Sequence, residues 1–327
     1  MTLDSIKHPV QSQLLAVDQV IRTRLASDVV LVNQVSEYII QSGGKRVRPL
    51  VAILAGNACL LQPSSNALER LASTAAIVEF IHTATLLHDD VVDSSELRRG
   101  QDTANAVWGN QASVLVGDYL YSRAFEMMVE LGSMRVMDVM ASATNKIAEG
   151  EVLQLMNAHD PDTTEARYFD VIYRKTAKLF ESGAQIAAII AQANPAHERA
   201  LAEYGKYLGT AFQLVDDVLD YRASAEEMGK NLGDDLAEGK PTLPLIYALK
   251  NGNTEQQHVI RTAIENGGLE SISAVTAIIE TTGGLKYTAL QARQQTDLAL
   301  QSLSALPDTV YKKSLQDLAE FAVSRSY

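Results

Sequence analysis

The chain has 327 residues, of which 46% are hydrophobic and 21% charged, and a net charge of −12. This is an ordinary globular composition, and its acidity argues against nucleic acid, whose phosphates need a basic face. A single cysteine, Cys59, and six scattered histidines without an HExxH exclude an intramolecular disulfide, a cysteine zinc cluster and that type of histidine zinc site.

The N-terminal stretch MTLDSIKHPV lacks the basic start and apolar run of a signal peptide. No stretch approaches about 18 uncharged apolar residues, so no transmembrane segment is expected, and a reduced cytoplasmic setting fits. Near Val29, VVLVNQV alternates weakly but fits helix equally well. From Leu68 to Asp93 apolar residues keep helical spacing for about seven turns. The spans Ala112–Gly132 and Met134–Ala158 read as two more long helices, and Gly132-Ser133 between them as the turn of a helical hairpin. Ala200–Ala223 reads as another. Pro49, Pro63, Pro161, Pro195, Pro241, Pro244 and Pro307 fall at or near helix starts and loops, where a missing N–H is tolerated. No Ser- or Pro-rich linker interrupts this pattern. One continuous all-α domain is expected.

Two of these helices carry the same acidic spacing. LLHDDVVD places Asp89, Asp90 and Asp93 in an apolar run, and QLVDDVLD repeats the pattern with Asp216, Asp217 and Asp220. On a helix, residues i and i+4 share a face, so Asp89 and Asp93 point together with Asp90 alongside, as do Asp216 and Asp220 with Asp217. Carboxylates at this density repel one another and lose hydration, so a cation is expected. Hard oxygens suit Mg²⁺, which keeps waters and bridges to substrate phosphates. The pattern is not an EF-hand, which needs aspartates at alternate positions and a central glycine.

Basic residues lie beside both motifs. SGGKRVRP gives Lys45, Arg46 and Arg48, and ELRRG gives Arg98 and Arg99. YRKTAKLF gives Lys175, Thr176 and Lys178, and GKNLGDDLAEGKPT gives Lys230 and Lys240. Arg offers a bidentate fork to phosphate and Lys a mobile point charge. GGKRVRP is not a P-loop, since it lacks GxxxxGK[ST] and follows no strand. The combination describes a site that holds Mg²⁺ with one diphosphate and basic residues with another.

Together GGKRVRP, HTATLLHDDVVDSSELRRG, VLVGDYL, KTAKLF, TAFQLVDDVLD and GKNLGDDLAEGKPTLP, in this order from about Gly43 to Pro244, resemble the trans-polyprenyl diphosphate synthases. Within that family they are most similar to the bacterial long-chain synthases of the octaprenyl type. The resemblance implies the isoprenoid synthase fold, about a dozen helices around a central cavity, as one domain over residues 1–327, and a homodimer. It implies Mg²⁺-dependent, repeated addition of isopentenyl diphosphate to an allylic diphosphate such as farnesyl diphosphate, for a quinone side chain. Three Mg²⁺ per site with substrate bound are part of that implication.

Residue by residue, the resemblance makes Asp89, Asp93, Asp216 and Asp220 the main metal ligands, with Asp90 and Asp217 supporting. Arg98, Lys175, Thr176, Gln213, Lys230 and Lys240 would face the allylic diphosphate. Lys45, Arg48, His82 and Arg99 would hold isopentenyl diphosphate. His82 read alone is an ordinary core histidine, and His88 is structural. Ala84 and Thr85, small residues one turn before the first aspartates, would leave room for a growing chain, with Phe80 pointing off that face. Met128 and Met140, brought together by the hairpin, would floor the tunnel, although methionines there also serve as plain core filling. After Leu245 no motif occurs, and Arg325 alone could close over the site. A transient membrane contact would release the product. A terpene cyclase would lack the second DDxxD, and a non-catalytic partner subunit would have lost aspartates.

Overall fold

The computed structural model describes residues 2–41, 44–60, 63–98, 100–222 and 233–324. They form two compact units. The first comprises residues 1–144, 179–205 and 300–318, the second residues 145–178, 206–299 and 319–327. The expected all-α class is found. The only strands among the described residues are two-residue stretches, β1 (Leu97–Arg98) and β2 (Gln101–Asp102), paired antiparallel as a hairpin.

In the first unit α1 (Leu3–Lys7), α2 (Gln11–Leu25), α3 (Val30–Gln41) and α4 (Val47–Cys59) precede the longest helix, α5 (Ser65–Val92). The Ser64 hydroxyl accepts from the Ala67 amide at 3.2 Å and starts α5 as its N-cap. After the hairpin come α6 (Ala104–Trp108) and α7 (Asn110–Glu130). The apolar faces of α2, α4 and α7 pack on α5, burying Leu50, Ile53, Leu71, Ile77, Ile81 and Leu120. The Ser113 hydroxyl donates to the Leu87 carbonyl at 2.9 Å and ties α7 to the end of α5 that carries the aspartates. The expectation of no long uncharged apolar stretch holds for α5, which Glu79 interrupts. Among the described residues, α5 alone is long and apolar enough to cross a membrane, but 67% of its most apolar 18-residue window is buried in the protein. It is a core helix.

The turn expected at Gly132-Ser133 is present: Gly132 takes φ 63° between α7 and α8 (Met134–Asn157). There follow α9 (Glu165–Ile172), one turn of π-helix (Tyr173–Ala177), α10 (Lys178–Ile190) and α11 (Pro195–Leu219). In the second unit the helices Leu243–Asn251, Thr254–Asn266 and Ile272–Thr282 pack together, around Leu236, Leu245, Ile260, Ile264 and Ile279. A neighbouring cluster joins Tyr168 and Ile172 of α9 to Leu214 and Val215 of α11. The segment after Leu245, silent in motifs, is thus helical packing.

Candidate active site

The basic turn before α4 belongs to the first unit. Lys45 is exposed, and Arg46 takes the left-handed conformation at φ 51° as the N-cap residue. An Arg46–Glu79 ion pair of 2.5 Å holds the turn to α5, and Glu79 is 8% exposed. One turn along α5, His82 Nε2 lies 3.0 Å from Arg48 Nη1. A guanidinium only donates, so that imidazole nitrogen is the acceptor. The Arg48 guanidinium also stacks on Phe180, 4.5 Å from the ring centroid. Sequence reasoning thus paired Arg48 with His82 correctly in space and missed Glu79. A cavity in this unit is lined by Gly44, Arg46, Glu79, His82, Asp90 and Arg98. Arg99 lies outside the described residues, as do Gly43 and Arg325.

The first aspartate motif sits at the C-terminal end of α5, which stops one residue before Asp93. The Asp93 amide donates to the Asp89 carbonyl at 2.8 Å, closing the last turn. Asp89 and Asp93 are half-buried. Asp90 is buried, and its Oδ1 accepts from Arg98 Nε at 2.8 Å and Nη2 at 2.6 Å. The β1–β2 hairpin presents Arg98 to it. Asn105 holds the backbone beneath, donating to the Asp90 carbonyl at 3.2 Å and the Ser95 carbonyl at 3.1 Å. The expectation placed Asp90 beside a metal and Arg98 on a diphosphate; in the structure each holds the other. His88 is structural, as expected: its Nε2 lies 3.3 Å from the Asp118 carboxylate and 3.2 Å from the Val114 carbonyl.

The second motif, in the second unit, repeats the backbone geometry. α11 ends at Leu219, and the Asp220 amide donates to the Asp216 carbonyl at 2.9 Å. Asp216 is exposed and Asp220 is 5% exposed, so the shared face passes from solvent into the protein within one turn. Asp217 is buried and held by two neutral donors, the Tyr168 hydroxyl at 2.5 Å and the Gln213 amide at 2.9 Å. Burial, then the nearby Asp235 carboxylate, push the Asp217 carboxyl up to about 7, against the lowering effect of those two donors. Thr176 Oγ1 donates to Gln213 Oε1 at 3.0 Å, which orients the Gln213 amide toward Asp217. Lys175 Nζ bonds Glu151 Oε2 at 2.6 Å and Gln154 Oε1 at 2.7 Å. Lys240 is ion-paired with Glu238, and Lys230 lies outside the described residues. Tyr168, Glu151, Gln154 and Asp235 were not singled out by sequence reasoning. No short-range signal marks the first three, whose partners lie more than twenty residues away, whereas Asp235 lies inside GKNLGDDLAEGKPT, a motif read for its lysines.

Of the residues expected to set chain length, Ala84, Met128 and Met140 are fully buried in the first unit. Thr85 is half-buried and spends its hydroxyl on the His82 carbonyl at 2.8 Å. Phe80 is 2% exposed and belongs to the core.

The donors present fit Mg²⁺. Asp89, Asp93 and Asp216 offer hard oxygens that solvent reaches, while Asp90 and Asp217 are engaged by protein donors. Among the described residues no three His, Cys, Asp or Glu side chains converge on one point.

Residues 29–282 match the family described as polyprenyl synthetase. The chain is 51% identical to the octaprenyl diphosphate synthase of Escherichia coli (strain K12) over 99% of each chain. It is 46% identical to the all-trans-nonaprenyl-diphosphate synthase (geranyl-diphosphate specific) of Rhodobacter capsulatus, over 97% of this chain and 96% of the other. The crystal structure of a polyprenyl synthase from Caulobacter crescentus CB15, complexed with calcium and isoprenyl diphosphate, superposes with a TM-score of 0.94 at 40% identity, covering 100% of this chain and 98% of that one. This chain therefore belongs to the polyprenyl synthetase family.

Proposed function

We propose that the protein is a long-chain trans-polyprenyl diphosphate synthase, acting as a single synthase domain over residues 1–327. It is a trans-prenyltransferase that condenses isopentenyl diphosphate repeatedly onto an allylic diphosphate, with farnesyl diphosphate as primer and octaprenyl diphosphate as product, for a quinone side chain. The observation that carries this reading is the 51% identity over 99% of an octaprenyl synthase with every aspartate of both motifs in place. The 46% identity to a nonaprenyl synthase makes a solanesyl-length product the alternative. A terpene cyclase or a non-catalytic subunit fits less well, because the second DDxxD is intact.

In each round the allylic carbon–oxygen bond breaks and diphosphate departs. The isopentenyl double bond attacks the allylic cation, and a proton leaves. Asp89, Asp93, Asp216 and Asp220 would hold Mg²⁺, three ions with substrate bound. Bound there, the metal neutralises charge that builds on the leaving oxygens. Lys175, Thr176, Gln213, Lys230, Lys240 and Arg98 would bind the allylic diphosphate, and Lys45, Arg48, His82 and Arg99 the isopentenyl diphosphate. The contact with His82 fixes the Arg48 guanidinium, which would turn toward phosphate. Apolar α5 residues exclude water that would quench the cation.

The working form is a homodimer in the cytoplasm that touches membrane only to release product. Incubation with farnesyl and isopentenyl diphosphates plus Mg²⁺, followed by sizing of the dephosphorylated products, tests the reading. Products near forty carbons support it. Cyclic hydrocarbons, or no product, overturn it.

A further inference from the structure

The π-turn Tyr173–Ala177 carries Lys175 and Thr176, and three consecutive residues of α8 grip it. Glu149 forms an ion pair with Arg174. Gly150 lies so close that a Cβ there would sit 2.8 Å from both the Arg174 Cβ and the Lys175 backbone nitrogen. Glu151 takes the Lys175 ammonium at 2.6 Å, and Gln154, one turn along the same helix, takes it at 2.7 Å. A π-turn is a costly backbone form that persists where surrounding structure holds it, often at functional sites. A lysine is a point charge on a four-carbon stem with much rotamer freedom to lose. The contacts on each side of Gly150 remove that freedom before any substrate arrives.

We propose that Glu151 is a positioning residue for Lys175, and that Glu149-Gly150-Glu151 is a clamp that sets where the lysine meets the allylic diphosphate. The clamp rests on the reading of Lys175 as an allylic-diphosphate residue given above. Its chemistry is preorganisation. The bond to Glu151 fixes the ammonium within reach of an incoming diphosphate, which then competes with Glu151 and Gln154 for its protons. Truncating the acid leaves the charge in place and loses its position, so the expected defect is in turnover of the allylic substrate rather than in folding.

Steady-state kinetics with farnesyl diphosphate and isopentenyl diphosphate varied separately test this, in the full chain with Mg²⁺. Glu151→Ala should lower kcat/KM for farnesyl diphosphate about tenfold, with KM for isopentenyl diphosphate unchanged. Glu151→Gln keeps an acceptor for the ammonium and should restore activity to within about threefold of the parent. Gly150→Ala should reproduce the Glu151→Ala defect by pushing the π-turn away. In a Lys175→Ala background, Glu151→Ala should cost less than about twofold more, because the residue it positions is gone. A merely structural role predicts the opposite, an equal loss in both backgrounds, and that result overturns the proposal. So does a Glu151→Ala enzyme with parental kinetics while Lys175→Ala is impaired. If Lys175→Ala itself has parental kinetics, the reading of Lys175 is what has failed, and the clamp falls with it.

Discussion

The two aspartate motifs share their spacing and their backbone geometry but differ at the middle residue. In both, the helix stops just before the third aspartate, whose amide closes the last turn onto the first. Asp90 meets a guanidinium, so its charge is compensated within the protein. Asp217 meets a phenol and an amide, and lies near Asp235, so its charge is solvated by dipoles and opposed by another carboxylate. The same three letters thus encode an ion pair in one unit and a carboxyl poised near neutrality in the other. The pattern supplies carboxylates; what they do depends on residues far away in sequence.

The largest expected effect falls on what the motifs share. Asp89→Ala and Asp216→Ala should each cut turnover by more than about tenfold, or 1.4 kcal/mol of barrier, as both remove a proposed Mg²⁺ ligand. Near-parental turnover in either variant, with the fold intact, would break the symmetry between the motifs.

Next in size is the assignment of the basic turn before α4 to isopentenyl diphosphate. Lys45→Ala and Arg48→Ala, in the first unit, should raise KM for isopentenyl diphosphate about tenfold, a loss expected when one charge-assisted contact goes. A defect confined to the allylic substrate would overturn that assignment.

The middle aspartates predict opposite stability changes. The folded Asp217 carboxyl titrates near 7 against an ordinary 3.8. Between those values the folded state binds the extra proton, so its contribution to stability is complete below about 3.8 and is lost as pH rises through about 7. Asp217→Asn should therefore raise Tm by several degrees at pH 8.5 in chelator and show little gain at pH 4. Asp90→Asn strips the charge from a partly buried ion pair and should destabilise the protein by roughly 2 kcal/mol at neutral pH. Thermal melts of the two variants across pH decide this, and equal shifts in the same direction would contradict the contrast drawn above.

The smallest effect on rate belongs to a position on the first-motif helix. Thr85→Tyr should leave the first condensation intact while shortening products from about forty carbons to about fifteen to twenty, since one helical turn of about 5.4 Å matches roughly one isoprene unit. Chromatography of dephosphorylated products checks it. An unchanged length distribution would place the tunnel elsewhere.

The helices that carry the motifs were legible because apolar periodicity is local. α5, α7, α8 and α11 fall within a few residues of their expected spans. The Gly132 turn was legible for the same reason. The links from Arg46 to Glu79, Lys175 to Glu151 and Tyr168 to Asp217 were not, because each joins residues that only tertiary packing brings together. The β1–β2 hairpin escaped notice because two-residue strands leave no alternation to read. The protein partners of the middle aspartates escaped notice for a related reason. Helical geometry fixes the face from which Asp90 leaves α5, while the hairpin decides that Arg98 waits there.

A single helix, α5, bears Glu79, His82, Asp89 and Asp90. It therefore works as a ruler whose marks cannot be moved one at a time. One residue inserted between His82 and Asp89 would turn everything downstream by about 100° and advance it by about 1.5 Å. The aspartates would leave their face while the histidine kept its own. By this geometry a change of side chain at fixed length leaves the marks in register, and an insertion does not. Changing the bulk at Ala84 or Thr85 would leave the interval from Glu79 to Asp90 untouched, because the helix backbone sets it.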